Sequence, residues 1–237
     1  MDIFSLSLSV YLAIIPSVLL CVYVYRMDVV EKEPLHLLFV MFFLGVLITV
    51  PTRFIEQLLL SSTGLSANKY LDSFLLSFVV IAIVEEGYKF FVLLLSCWKN
   101  KNFDYKYDAI VYSVFISLGF ATLENILYVQ STGINVAIWR GVISVPAHAF
   151  YAIACGYFLG LAKEKSENKN KEKMFGFLFL SFIVPVLLHG TFDFLLLTEN
   201  DILFGIFFSF VAMLYIISYC EIKKTYNGER IVKLKKR

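Results

Sequence analysis

Three short motifs place ionisable side chains inside segments of the chain that are otherwise apolar. They are Glu85-Glu86-x-x-Lys89, Phe120-x-x-x-Glu124 and His189-x-x-x-Asp193. A charged side chain at the centre of a bilayer costs about 2.5–3.5 kcal/mol on insertion scales, and such residues usually mark functional sites. The motifs therefore predict a polar reaction centre inside a bundle of membrane helices.

Helical spacing indicates which of these side chains can meet. Residues three or four apart lie on the same face of a helix. Lys89 therefore lies one turn from Glu85, and Asp193 lies one turn from His189. Glu86 lies about 100° around the helix from Glu85, so both carboxylates point inward only if they splay.

Both histidines of the inner segments lie near a proline. His148 comes two residues after Pro146, and His189 comes four residues after Pro185. A proline frees a backbone carbonyl and kinks a helix, and such breaks at membrane depth need a polar partner or a cavity. We therefore expect His148 to support the centre. One more supporting candidate, Asn125, directly follows the second motif.

The membrane segments contain more acidic than basic side chains. Away from the segment ends, their charged residues are the cations Arg53, Lys89 and Arg140 and the carboxylates Glu56, Glu85, Glu86, Glu124 and Asp193. A buried excess of negative charge does not persist unpaired. Shared protons, a protonated histidine or a divalent metal ion can offset it, and the sequence leaves all three open. Each supplies what hydrolysis needs, a carboxylate base for water and a histidine for the oxyanion or the leaving group.

Composition assigns the chain to the membrane class. Of its 237 residues 59% are hydrophobic, and the mean hydropathy is +0.76, whereas soluble domains have about 45–50% apolar residues. A net charge of +2 gives no support to a nucleic-acid partner. We interpret the Arg53/Glu56 pair as structural, Arg140 as a residue that reaches the headgroups, and the four dispersed cysteines as buried thiols.

Seven apolar segments are long enough to cross a bilayer, which takes about 20 residues. They are 5–25, 36–60, 70–97, 108–130, 137–162, 174–198 and 202–222. The predicted fold class is therefore all-α, a polytopic bundle of about seven transmembrane helices. One membrane domain occupies 1–222, and a basic tail occupies 223–237.

The distribution of basic residues predicts the orientation of the bundle. The connections at 26–35, 98–107 and 163–173 and the tail contain 17 Lys and Arg residues, whereas the connections on the other side contain Lys69 alone. Because Lys and Arg collect in cytoplasmic loops, we expect the N-terminus outside and the C-terminus in the cytoplasm. At a rise of ~1.5 Å per residue, the polar centre then lies at the midplane and in the outer half of the bilayer.

The three motifs, in this order on separate segments, resemble those of PrsW-type intramembrane proteases, which are similar to the CAAX-processing endopeptidases. The resemblance extends over roughly 80–195. It includes the segments 108–112, 119–128, 140–148 and 188–194. It implies a bacterial plasma-membrane enzyme that makes the first cut in a single-pass substrate, an anti-sigma factor. It also implies that Glu85 and Glu86 are the catalytic pair and that His189 is essential. At the position that corresponds to Glu124, the CAAX-type relatives carry a histidine.

From these observations we expect a membrane protease in which Glu85 or Glu86 activates water. Glu124 orients that water or a metal, and His189, backed by Asp193, stabilises the oxyanion or donates a proton. Lys89 balances the charge of the glutamate pair. We expect metal-free chemistry, because the H-E-x-x-H spacing of many zinc proteases does not occur.

Two questions remain open from the sequence. If a divalent metal such as zinc is bound, its ligands are expected among Glu86, Glu124, His148 and His189. Two other functions also fit buried charges of this kind: a proton- or cation-coupled transporter, and a non-catalytic binding or immunity protein on the same scaffold. The chain shows no inverted repeat, which weighs against the transporter.

Overall fold

A computed structural model describes residues 3–28, 31–63, 68–132 and 134–235, and its regular elements are all helices. They are α1 (Ile3–Met27), α2 (Leu35–Ser62), α3 (Lys69–Phe74), the π-helix π1 (Leu75–Ala82), α4 (Ile83–Cys97), α5 (Lys106–Thr132), α6 (Ile134–Trp139), the π-helix π2 (Arg140–Ser144), α7 (Val145–Glu167), α8 (Lys171–Leu197) and α9 (Asp201–Lys235). The predicted all-α bundle is confirmed.

Five helical stretches among the described residues are long and apolar enough to cross a membrane. They are Leu35–Ser62, Lys106–Val129, Arg140–Glu167, Lys171–Leu197 and Asp201–Thr225. The other two predicted spans are also helical, but the first has a shorter apolar stretch, Ala13–Met27. The third is divided into α3, π1 and α4 and contains the charged residues of the first motif. The count of seven spans therefore stays a prediction.

The predicted basic tail continues the last helix. Helix α9 runs without a break to Lys235, past the predicted boundary at 222, and the final two residues, 236–237, lie outside the described part of the chain.

Helix α5 lies at the centre of the bundle and packs against α1, α2 and α7, while α7 packs in turn against α8. Two glycines allow α2 and α5 to come very close. A methyl group on Gly45 would overlap the carbonyl oxygen of Ile116, and one on Gly119 would overlap that of Phe42. Small residues at a helix contact let backbones approach in membranes, where packing rather than water drives association.

The two π-helices lie directly before the polar residues of the site. π1 ends at Ala82, just before Glu85, and π2 ends at Ser144, just before His148. Such local widening of a helix occurs frequently at functional sites. The expected distortion beside His148 is present, since π2 ends immediately before α7 and Pro146 lies in the first turn of α7. Helix α8, by contrast, continues through Pro185 with no change of helix type.

Candidate active site

The ammonium group of Lys89 is the centre of the polar cluster. Its Nζ lies 2.9 Å from Glu85 Oε2, 2.8 Å from Glu86 Oε1 and 3.2 Å from His148 Nδ1. All four side chains are buried. The three- and four-residue spacing of the first motif places both carboxylates within reach of one lysine, and α7 brings the histidine from the other side.

The second motif completes this part of the site through Glu124 on α5. His148 Nε2 lies 3.1 Å and Arg140 Nη2 lies 3.0 Å from Glu124 Oε2. Because an ammonium group only donates hydrogen bonds, His148 Nδ1 must accept from Lys89, so its Nε2 carries the hydrogen and donates to Glu124. This geometry describes a neutral imidazole with one defined tautomer.

The third motif places His189 between two carboxylates. Its Nδ1 lies 2.9 Å from Glu86 Oε1, and its Nε2 lies 3.4 Å from Asp193 Oδ2. A carboxylate accepts hydrogen bonds, so a histidine that faces one with each nitrogen is best satisfied as the doubly protonated imidazolium. The contact with Asp193 is the longer one, which leaves the Nε2 hydrogen less firmly held.

The structure brings together all eight site residues predicted from the sequence. Asn125 takes part through Arg140, whose Nε donates to Asn125 Oδ1 at 2.7 Å. Arg140 was expected at the headgroups, but it is turned inward onto Glu124 and lies 4.0 Å from the ring centroid of Tyr128. Arg53 and Glu56 form the expected ion pair, at 3.3 Å.

A cavity of about 520 Å³ opens beside this cluster. Five of the predicted site residues line it: Glu85, Glu124, His148, His189 and Asp193. Its lining also includes the aromatic residues Trp139, Phe192, Phe204, Phe207 and Phe208. The cavity therefore combines ionisable groups with apolar surface suited to a membrane-derived peptide.

The two adjacent glutamates face different spaces. Glu85 lines the large cavity, whereas Glu86 and Lys89 line a separate cavity of only about 10 Å³ between α4, α5, α7 and α8. A water molecule that enters with the substrate therefore meets Glu85 first. Sequence spacing could not make this distinction, because it depends on how far α4 is rotated in the bundle.

Three residues of the site could contact a metal ion, but Lys89 occupies their centre. The group contains Glu86 and His148 of the ligands expected from the sequence, and has Glu85 in place of Glu124 and His189. One ligand atom each of Glu85, Glu86 and His148 lies within 4.8 Å of the others, and this donor set suits zinc chemically. However, Lys89 Nζ contacts all three groups at 2.8–3.2 Å. A divalent ion and an ammonium group cannot share that position, so the arrangement does not fit a metal unless Lys89 moves away.

Among the cavity-lining residues that sequence reasoning did not single out, Tyr151 contacts a predicted site residue. It lies three residues after His148 and therefore on the same face of α7. Its ring stacks on that of His189, with centroids 4.9 Å apart and planes 18° apart. The spacing from His148 was the available signal, but it has little weight in a segment where most residues are apolar.

A helical membrane bundle with a buried carboxylate–histidine cluster open to a cavity suits an intramembrane hydrolase, and comparison with known proteins supports this class. A family model described as "PrsW family intramembrane metalloprotease" matches residues 33–220.

Individual relatives give the same result over most of the chain. Protease PrsW of Clostridioides difficile (strain 630) is 36% identical over 93% of this chain and 92% of the relative. Protease PrsW of Oceanobacillus iheyensis is 37% identical over 89% of this chain and 93% of the relative. That of Bacillus subtilis (strain 168) is 40% identical over 77% of this chain and 80% of the relative. No solved structure matches. The chain belongs to the PrsW family of intramembrane proteases.

Proposed function

We propose that this membrane protease makes the first cut in a single-pass regulatory protein of the anti-sigma-factor type, in the bacterial plasma membrane, using water activated by Glu85. The observation that carries the proposal is that Glu85, His189 and Asp193 line one cavity together with several aromatic residues. Membership of the PrsW family supports peptide-bond hydrolysis over the transporter alternative.

In the proposed reaction, Glu85 acts as the general base. Its carboxylate accepts a proton from a water molecule in the cavity while the water oxygen attacks the carbonyl carbon of the scissile bond. The carbonyl π electrons move to the oxygen and form the tetrahedral oxyanion. Lys89, bound to Oε2 at 2.9 Å, fixes the orientation of Glu85.

His189 supplies the proton that the leaving amine needs. Its Nε2 hydrogen lies on the cavity side and is held only by Asp193, at 3.4 Å. When the intermediate collapses, the C–N bond breaks, the amine nitrogen takes this proton, and the proton on Glu85 restores the imidazolium through solvent. Glu86 holds the imidazolium from the other side through Nδ1.

Glu124 and His148 help to position Lys89, and through it Glu85. Glu124 is fixed by Arg140 and accepts from His148, and His148 in turn accepts from Lys89. These successive contacts set the position of the Lys89 ammonium group, so Glu124 of the second motif affects the geometry of the first motif. Glu124 and His148 are therefore proposed as orienting groups.

We expect the activity to be independent of a bound metal ion, because Lys89 fills the centre where an ion would bind. Purified active protein should contain much less than one equivalent of zinc and keep its activity after chelation. Elemental analysis and an activity assay before and after chelation measure this. Zinc bound in a one-to-one ratio, with activity lost on its removal and regained on its return, would overturn metal-free chemistry.

We also propose that the cut falls on the extracytoplasmic side of the substrate, at or just beyond its membrane span. This follows from the distribution of basic residues, which places Glu124, His189 and Asp193 in the outer half of the bilayer. A water path from that face is the shorter one.

Impermeant thiol labelling in intact cells tests this orientation. In a Cys220→Ser background, which removes the exposed native cysteine while the other three are buried, Gly133→Cys should be labelled and Glu167→Cys should not. Gly133 lies outside the described residues and is placed by the sequence argument alone. The opposite labelling pattern would move the predicted cut to the cytoplasmic side.

The substrate class can be tested with purified components. The protein in liposomes is mixed with candidate single-pass anti-sigma factors and with an unrelated single-pass protein as control. Mass spectrometry of the products should show one defined cut in an anti-sigma factor and none in the control. Cleavage of the unrelated protein alone would refute the proposed substrate class while leaving the protease activity in place.

A further inference from the structure

The ring of Tyr151 is firmly held in the wall of the catalytic cavity. It is stacked on His189 and packs edge-on against Phe192, at a centroid distance of 6.2 Å. The side chain is only 1% exposed, although the residue lines the cavity. Its aromatic part therefore has a clear packing role that phenylalanine would fill equally well.

The packing role of the ring does not account for the hydroxyl group of Tyr151. Within the described part of the chain it has no hydrogen-bond partner, and it is shielded from solvent. Leaving a buried donor unsatisfied costs about 1–3 kcal/mol, and native proteins contain few such groups. A hydroxyl in this position is therefore suited to a partner that arrives with the substrate.

The other donors of the site already have acceptors. Lys89 donates to both glutamates of its motif, and His148 Nε2 donates to Glu124. Arg140 Nη2 contacts Glu124 at 3.0 Å. The Nε2 hydrogen of His189 is assigned to the leaving amine. Among these groups no donor is left for the carbonyl oxygen of the scissile bond, whereas the Tyr151 hydroxyl in the same cavity wall is unused.

Unpartnered polar atoms elsewhere in the described bundle do not compete for this role. The nearest candidates in sequence to the site are Ser77, Asn125 and Arg140 Nη2. Ser77 and Asn125 do not line the cavity. Arg140 lines it, but its Nη2 lies 3.0 Å from Glu124 Oε2 and is held there by that ion pair. Tyr151 combines an uncharged, unused donor with a place in the cavity wall.

We propose that Tyr151 is a catalytic residue whose hydroxyl donates a hydrogen bond to the carbonyl oxygen of the scissile peptide bond as that oxygen becomes an oxyanion. The inference rests on the proposed function. No proton is transferred: water adds to the carbonyl carbon, Glu85 takes the water proton, and the hydroxyl stabilises the new negative charge. The contact forms as the substrate enters, since catalytic hydrogen bonds often tighten only in the substrate complex.

Tyr151→Phe tests this role, because it removes the hydroxyl and keeps the stacked ring. Loss of one oxyanion donor typically lowers kcat by about 10²–10³-fold, so we expect a loss of at least about 10²-fold. We expect KM to change by less than about threefold, since the interaction is made mainly in the transition state. The unfolding temperature should stay the same or rise, because the removed hydroxyl has no partner to lose.

Tyr157→Phe is the matched control on the same helix. Its hydroxyl contacts Lys224, at 3.4 Å, and lies outside the cavity lining, so kcat should not change. If the wild-type protein cuts its substrate and Tyr151→Phe has the same kcat, the oxyanion role is overturned and the protease function is left intact. A wild-type protein that cuts no single-pass substrate would overturn both. A lower kcat together with a lower unfolding temperature would identify a structural role and also overturn the proposal.

Discussion

The single substitutions Glu85→Ala, Glu86→Ala and His189→Ala should each lower the rate of substrate cleavage by at least ~10²-fold, which is the usual scale for the loss of a general acid or base. Glu85 is the only one of the two glutamates that lines the large cavity among the described residues. Glu86 and His189 are joined at 2.9 Å, so loss of either disturbs the proton donor. Product formation in cells or in liposomes measures the effect.

The matched control for these variants is Glu172→Ala, which changes an exposed glutamate at the start of α8. It should cleave at the wild-type rate. Protein levels of all four variants should stay near wild type, so that a loss of cleavage reports on chemistry. Full activity in two of the three site variants would show that the site has been assigned to the wrong residues.

Gly119→Ala should strongly destabilise the bundle. The added methyl group would overlap the backbone carbonyl of Phe42 on α2, which cannot move aside as a flexible side chain could. Overpacking typically costs about 1–3 kcal/mol and sometimes more, which corresponds to a fall of roughly 2–12 °C in the unfolding temperature of a chain of this size. Thermal unfolding in detergent measures this fall, and cleavage should fall with it.

Gly176→Ala is the control substitution. Gly176 lies inside α8 with no atom of another part of the chain near its added methyl group, so alanine should stabilise the helix by about 0.5–1 kcal/mol. Equal unfolding temperatures for the Gly119 and Gly176 variants would contradict the close packing of α2 against α5.

Much of the architecture could be predicted from the sequence, because apolar length and charge position are local properties. All seven predicted segments are helical, and their boundaries differ from the predicted ones by a few residues or by the continuation of α9. The division of the third segment by π1 could not be predicted. A π-helix reflects a local mismatch between helix register and packing, and the apolar sequence of Leu75–Ala82 gives no sign of it.

The members of the site and the pairs within one helix were predictable, but the contacts between helices were not. Charged residues inside apolar segments were identifiable one by one, since each is costly in a membrane. The contacts of Arg140 with Glu124 and of Lys89 with His148 join different helices. Such contacts depend on the rotation and depth of each helix, which the packing of the whole bundle decides.

The same dependence on helix packing explains why the sequence did not single out Tyr151 and did not distinguish Glu85 from Glu86. An uncharged tyrosine among the many aromatic residues of the chain gives no signal until its neighbours are known. Which of Glu85 and Glu86 faces the cavity is set by a rotation of α4 that the motif spacing leaves free.

The proposed role of Glu85 is to activate water for peptide-bond hydrolysis. To test this role, a single-pass substrate is incubated in ¹⁸O-labelled water with purified wild-type or Glu85→Gln protein in liposomes, and the products are analysed by mass spectrometry. We expect wild-type protein to produce one new C-terminus that contains an oxygen atom from the solvent, and Glu85→Gln, folded and present in equal amount, to produce at least ~10²-fold less. Equal yields of labelled product from both proteins would contradict this role of Glu85.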